Sequence, residues 1–111
     1  MGKPRLQELR YINAVSSEGE EDFLIELNGV VSFPGQKALH HFFLQVISPR
    51  YLTWMLTEGD REYLFGHGFL LVNTNNRREI DHAIRHLIEQ TKGDTWEVYQ
   101  IAVGRYVDWI D

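Results

Sequence analysis

The chain has 111 residues, a length typical of one ordinary domain. Its composition, with 43% hydrophobic and 24% charged residues, is typical of a globular protein rather than a disordered one. It contains no cysteine, which excludes disulfide scaffolds, thiolate metal sites and thiol nucleophiles. The net charge of −5 argues against a nucleic-acid-binding protein and suits a partner that is itself basic. Mild acidity that serves only solubility explains the charge equally well.

Three strands are predicted in the first half of the chain. The first covers residues 5–15, and a polar turn with three glutamates follows it. Phe23, Ile25 and Leu27 then alternate with other side chains, which is the period-two pattern of a second strand. Since a short polar loop joins these two strands, we expect them to form an antiparallel hairpin. The third strand, over residues 41–47, has apolar residues on both faces, which indicates either a central strand covered on both sides or a strand under a long loop.

A short helix is predicted to begin at Ser48 and Pro49. Serine can cap free N–H groups, and proline at the first helical position has no N–H to lose. Trp54 points away from the apolar stripe of this helix. After an acidic loop, residues 63–73 are predicted to form a fourth strand, in which glycines flank His67 and indicate a bulge or a close backbone approach.

Two further helices are predicted in the last third of the chain. The first covers residues 77–92, with Asn76 as its N-terminal cap and Gly93 at its end. The second covers residues 95–106, with Asp94 in the capping position.

The order of elements is therefore β-β-β-α-β-α-α, and residues 107–111 form either a short strand or an extended tail. We expect a single α+β domain over residues 1–111. Its antiparallel sheet has about four strands, and the helices pack on one face of it.

Histidines provide the first candidates for a chemical site. His82 and His86 lie four residues apart, the spacing at which two imidazoles can bind one metal ion. They lie off the apolar stripe of their helix, and the His-Glu-x-x-His pattern is missing, so an exposed polar face is the favoured interpretation. His67 lies between two glycines, where the backbone could approach a small ligand closely.

Catalytic motifs are not recognisable in the sequence. There is no Gly-x-Ser-x-Gly elbow and no glycine-rich phosphate loop. Carboxylates are plentiful, which leaves a glycosidase-type pair open. The carboxylates cluster in two segments, where solvated loops are favoured over a binding patch. Trp54, Trp96 and Trp109 could be interface anchors, but spacing explains most of the aromatic residues as core.

Several segments of the last two-thirds of the chain resemble the immunity protein 8 family of bacterial polymorphic toxin systems. The resemblance covers about residues 42–109. The resembling segments are FLQV at 43–46 running into SPRYL at 48–52, FGHGFLLV at 65–72, the helix at 80–89 and GDTWE at 93–97, and the aromatic tail VDWI at 107–110 matches the end of the family loosely.

The resemblance implies a small cytoplasmic α+β protein without enzymatic activity, which protects the producing cell by binding a cognate toxin domain one to one. We expect no cofactor, no metal ion, and neither nucleic acid nor a membrane as partner, while a homodimer stays open. On this interpretation the toxin-binding residues are Glu18, Glu20, Glu21, Trp54, Glu58, Asp60 and Glu62. Two alternatives remain, a small-ligand or regulatory binding domain with a cleft near His67, and a hydrolase that uses carboxylates or histidines.

Overall fold

The computed structural model describes residues 2–15, 21–57 and 68–110. Within these ranges the chain forms a mostly antiparallel five-stranded sheet and three helices, which confirms the α+β class and the predicted order of elements. In chain order the elements are β1 (Arg5–Ala14), β2 (Leu24–Ser32), β3 (Leu39–Ile47), α1 (Pro49–Thr57), β4 (Phe69–Leu71), α2 (Arg77–Gln90), α3 (Trp96–Val103) and β5 (Asp108–Trp109). The tail therefore contributes a fifth, two-residue strand.

The centre of the sheet is β3, one of the two arrangements that its apolar faces predict. One edge of β3 pairs with β2, which forms the predicted antiparallel hairpin with β1. The other edge is shared by two short strands. β4 runs parallel to the last three residues of β3, and β5 runs antiparallel beside Phe42 and Phe43. The sheet is thus not purely antiparallel, because the connection through α1 returns the chain to β4 in the direction of β3.

The core lies between one face of the sheet and the two helices α2 and α3. Alternate residues of β2 and β3 point into the core, because successive side chains of a strand lie on opposite faces. Residues four apart on α2 lie on one side of the helix and pack against them. Helices α2 and α3 thus pack on one face of the sheet, as predicted. The residues of this core cluster that are at most 2% exposed are Phe23, Ile25, Leu27, Val31, Phe42, Leu44, Val46, Ile80, Ile84, Ile88, Tyr99, Val103 and Val107.

Helix α2 also holds the outer edge of the sheet. The Leu6 N–H of β1 donates to Glu89 Oε2 at 3.1 Å, and Arg85 Nη1 donates to the Leu6 carbonyl oxygen at 3.2 Å. Two side chains of the helix therefore satisfy backbone groups that an edge strand would otherwise leave to solvent.

The helix ends differ in detail from the predictions. Asn76 caps α2 as expected, its side chain accepting from Arg78 N and Glu79 N. The helix ends at Gln90, before the predicted Gly93, and the cap of α3 is Thr95 rather than Asp94, since the Thr95 side chain accepts from Val98 N. None of the helices in the described ranges is long and apolar enough to cross a membrane.

Gly93 serves close packing instead. A Cβ at this position would lie 2.7 Å from the Tyr99 backbone nitrogen, so a larger residue would push α3 away from the end of α2. The Tyr99 hydroxyl donates to the Ile88 carbonyl oxygen inside the core. Burial, and after it the nearby Glu89 carboxylate, raises the pKa of Tyr99 above its ordinary value, which keeps the phenol protonated as a donor.

Candidate functional site

One side of α1 faces solvent along its whole length. The exposed residues follow the helical repeat, whereas the four large apolar residues between them are half-buried on the opposite side. The exposed residues are Pro49, Arg50, Thr53, Trp54 and Thr57, and we refer to them as the α1 face.

The α1 face carries a single charged side chain, Arg50. Its two threonine hydroxyls are occupied within the helix, since Thr53 Oγ1 donates to the Pro49 carbonyl oxygen at 2.9 Å and Thr57 Oγ1 donates to that of Thr53 at 2.8 Å. A helix surface that only meets water is normally covered with charged residues. The α1 face therefore has the composition of a surface that can be desolvated at low cost.

Trp54 is the largest side chain of this face and is 45% exposed. Its ring lies tilted against that of Tyr51, with 5.5 Å between the centroids, so one side of the indole is supported and the other faces solvent. Tryptophans held in this way dominate the binding energy of many protein interfaces.

Glu21, the last glutamate of the polar turn before β2, lies beside α1. Arg50 Nη1 lies 2.8 Å from Glu21 Oε2, although both side chains are largely exposed and the ion pair contributes little to stability. Hydrogen bonds between Phe23 and Ser48 hold the chain that follows Glu21 against the start of α1. Ser48 N donates to the Phe23 carbonyl oxygen at 3.0 Å, and Phe23 N donates to Ser48 Oγ at 3.0 Å.

Ser48 is thus the residue that joins the acidic segment to the helix. Besides the Phe23 N–H, its buried hydroxyl accepts from Tyr51 N at 3.1 Å, which is the predicted N-terminal cap of α1. The Ser48→Ala variant is expected to lose about 1–3 kcal/mol of unfolding free energy, because a buried N–H loses its acceptor together with the cap. Urea denaturation measures this change.

The matched control is Thr53→Ala, which removes an exposed hydroxyl from the same helix and should change the unfolding free energy by no more than about 0.5 kcal/mol. Equal losses for the two variants would contradict the role given to Ser48.

Of the predicted toxin-binding residues, the structure describes two. Glu21 and Trp54 are both exposed, and Arg50 and Tyr51, which contact them, bring them to the same helix. The other predicted positions lie outside the described residues, as does His67. They are Glu18 and Glu20, which precede Glu21, and Glu58, Asp60 and Glu62, which follow Thr57.

The histidine pair on α2 lies on its outer surface. His82 and His86 are exposed, and between them Arg85 faces Asp81 at 3.6 Å and Glu89 at 3.4 Å. In the described parts of the chain, no group of three or more histidine or acidic residues could hold a metal ion.

The surface has depressions as well. A cleft of about 440 Å³ lies between the N-terminal segment, the turn after β2 and the end of α2, and an apolar one of about 160 Å³ lies between α2 and β4. A more open depression of about 270 Å³, lined by Pro49, Arg50 and Thr53, belongs to the α1 face. The α1 face thus includes a shallow hollow at its N-terminal end.

The sequence was compared with known protein families. The sequence model of a family described as Immunity protein 8 matches residues 5–110. The chain belongs to the immunity protein 8 family. The match takes in β1 and β2, which precede the segments on which the resemblance rests. Searches of curated proteins and of solved structures found no match.

For this member of the immunity protein 8 family, the site prediction contained only Trp54 of the α1 face. Arg50 was not included although its spacing from Trp54 places both on one side of a helix, a signal that the sequence does contain. The contact between Arg50 and Glu21 has no such signal, because it joins residues that are 29 positions apart.

Proposed function

We propose that the chain is an immunity protein that binds a cognate toxin domain in the bacterial cytoplasm and neutralises it in a stoichiometric complex, with neither a cofactor nor an enzymatic activity of its own. Membership of the immunity protein 8 family supports a toxin as partner. The observation that carries the choice of surface is the α1 face, a charge-poor helix side with an exposed tryptophan next to an acidic residue.

The toxin domain that fits this surface is basic. The chain has a net charge of −5. The segment before β2 carries Glu18, Glu20 and Glu21, and the segment after α1 carries Glu58, Asp60 and Glu62. Such charges speed the encounter with a basic partner, while burial of an aromatic side chain slows its release. In this proposal the acidic residues steer the toxin and Trp54 anchors it.

Arg50 does not oppose this arrangement. It is the one cation of the α1 face, and Glu21 neutralises it at 2.8 Å. The field that an approaching basic protein meets is therefore set by the net charge of −5 and not by the arginine.

The proposed function is tested by co-expression with the toxin domain encoded by the neighbouring gene. We expect a one-to-one complex that survives size-exclusion chromatography, and rescue of the growth of cells that produce the toxin. Absence of both complex and rescue would refute the proposal.

The steering role is tested separately by charge reversal. Changing Glu18, Glu20 and Glu21 to lysine, or Glu58, Asp60 and Glu62 to lysine, is expected to lower the association rate at low salt by about tenfold or more and to flatten its dependence on salt. Stopped-flow fluorescence measures both quantities. The matched control reverses Glu79, Asp81 and Asp94, which lie on α2 and before α3, and should change the rate only slightly.

If charge reversal in the two acidic segments and charge reversal at the control positions lower the association rate equally, the acidic segments have no special role. In that case net charge alone attracts the toxin, and the contact surface lies elsewhere.

A further inference from the structure

Helix α3 carries a second apolar surface that the proposed function does not use. Tyr99 and Val103 are buried on its inner side, whereas Val98 is 55% and Ile101 is 67% exposed on its outer side. Among the large hydrophobic residues in the described ranges, Ile101 is the most exposed. Leaving such a side chain in water forgoes the free energy that its burial would contribute.

The outer side of α3 has opposite charges at its two ends. Glu97 lies in the first turn, four residues before Ile101, and Arg105 lies four residues after it. The backbone beyond Val103 continues the helical path, with Gly104 at φ −63° and ψ −9° and Val107 N donating to the Val103 carbonyl oxygen at 3.2 Å. Glu97, Val98, Ile101 and Arg105 therefore form one stripe, which we call the α3 stripe.

The charges of the α3 stripe are available for a partner. Glu97 and Arg105 are both exposed, and neither takes part in an ion pair within the described part of the chain. Eight residues of helix place them about 12 Å apart along the axis. That distance prevents them from pairing with each other.

The stripe is complementary to itself. If two copies of α3 pack antiparallel with Ile101 on the two-fold axis, each Glu97 comes opposite the Arg105 of the other copy, and both apolar centres are covered. The parallel arrangement would place like charges together and is disfavoured.

We infer that the α3 stripe is a homodimer interface, formed by antiparallel packing of α3 against α3 of a second copy. The stripe shares no residue with the α1 face, so self-association and toxin binding can be separated by mutation. Because the apolar centre is small, the dimer is weak and concentration-dependent. The exposed ion pairs set its orientation, and Ile101 supplies most of its affinity.

Sedimentation equilibrium over about 1 µM to 1 mM protein tests this inference. The unmodified protein is expected to pass from monomer to dimer within this range. Ile101→Asp should abolish the dimer, and Glu97→Arg or Arg105→Glu alone should raise the dissociation constant about tenfold or more. The double variant Glu97→Arg with Arg105→Glu restores opposite charges across the axis, so its dissociation constant should return to within about threefold of the original.

The double variant also distinguishes pairing from a purely local effect. An acidic residue at the start of a helix and a basic one at its end stabilise the helix through its dipole. If Glu97 and Arg105 served only that purpose, the double variant would be the least stable in thermal unfolding and would not regain the dimer. A protein that is monomeric up to about 1 mM, or a double variant without recovery, would overturn the inference.

Toxin binding provides the last control. Ile101→Asp is expected to bind the toxin domain with unchanged affinity, because it lies outside the α1 face. If this variant lost the toxin while the unmodified protein stayed monomeric, the stripe would be a toxin contact and the dimer interface would be refuted.

Discussion

Replacing Trp54 with alanine is expected to weaken binding of the cognate toxin domain by about 2–4 kcal/mol, or roughly 30- to 900-fold. The indole is the largest exposed side chain of the α1 face, and Tyr51 holds it in place before the partner arrives. Little conformational entropy is then lost on binding, and the apolar area that becomes buried is large. The loss should appear mainly as faster dissociation, which surface plasmon resonance or biolayer interferometry resolves.

The stability of the protein should hardly change in this variant, because Trp54 is 45% exposed and outside the core. Tyr106→Ala is the matched control, since it truncates a 55% exposed aromatic side chain on another part of the surface. If a stable complex forms and Trp54→Ala weakens it no more than Tyr106→Ala does, the α1 face is not the anchor of the interface.

The second large effect is expected at Gly29, where alanine should lower the unfolding free energy by about 3 kcal/mol or more. A Cβ at this position would lie 2.1 Å from Phe42 Cζ, because the ring of β3 covers the glycine of β2 directly opposite it. The ring has no room to move, since Phe42 is fully buried and meets the edge of Trp109 with 6.0 Å between the centroids. Urea denaturation measures the loss.

A double-mutant cycle identifies the ring as the cause. Phe42→Leu alone costs stability because it leaves a cavity, but it removes the atoms that the new methyl group would meet. The pair Gly29→Ala with Phe42→Leu should therefore cost at least about 1 kcal/mol less than the sum of the single changes.

The control for backbone preference is Gly35→Ala. Gly35 has φ +84° and nothing within 4 Å of a Cβ, so this variant measures the conformational cost alone, about 1 kcal/mol. Additive losses in the cycle, or a loss at Gly29 no larger than that at Gly35, would contradict the packing explanation.

Much of the fold follows from periodicity. Phe23, Ile25 and Leu27 are buried as their alternation predicts, and the apolar stripe of α2 faces the sheet. The parallel pairing of β4 and the docking of β5 on β3 are less accessible, because both join residues far apart in sequence and both strands are too short for a clear pattern. The role of Gly93 is equally hidden, since it depends on how closely α3 approaches and not on the local sequence.

Of the candidate site, too, only part can be predicted from the sequence. That Trp54 lies off the apolar stripe can be worked out from helical spacing, and its exposure agrees. That Glu21 lies next to the same helix cannot, because the contact depends on the hydrogen bonds between Ser48 and Phe23. Helical spacing thus predicts the exposure of Trp54, whereas tertiary structure is needed to place Glu21 beside the same helix.

The shared edge of β3 has a consequence for synthesis on the ribosome. The pairing of Phe42 with Trp109 joins residues at widely separated points of the chain, and the Trp109 indole N–H also donates to the Gln100 carbonyl oxygen of α3. A nascent chain can form the β1–β2–β3 portion early and can then add β4, yet the edge of β3 at Phe42 and Phe43 stays without its strand partner until residue 109 has emerged. Contacts of such long range also slow folding. Under the proposed function, protection from the toxin would therefore begin only after this last closure.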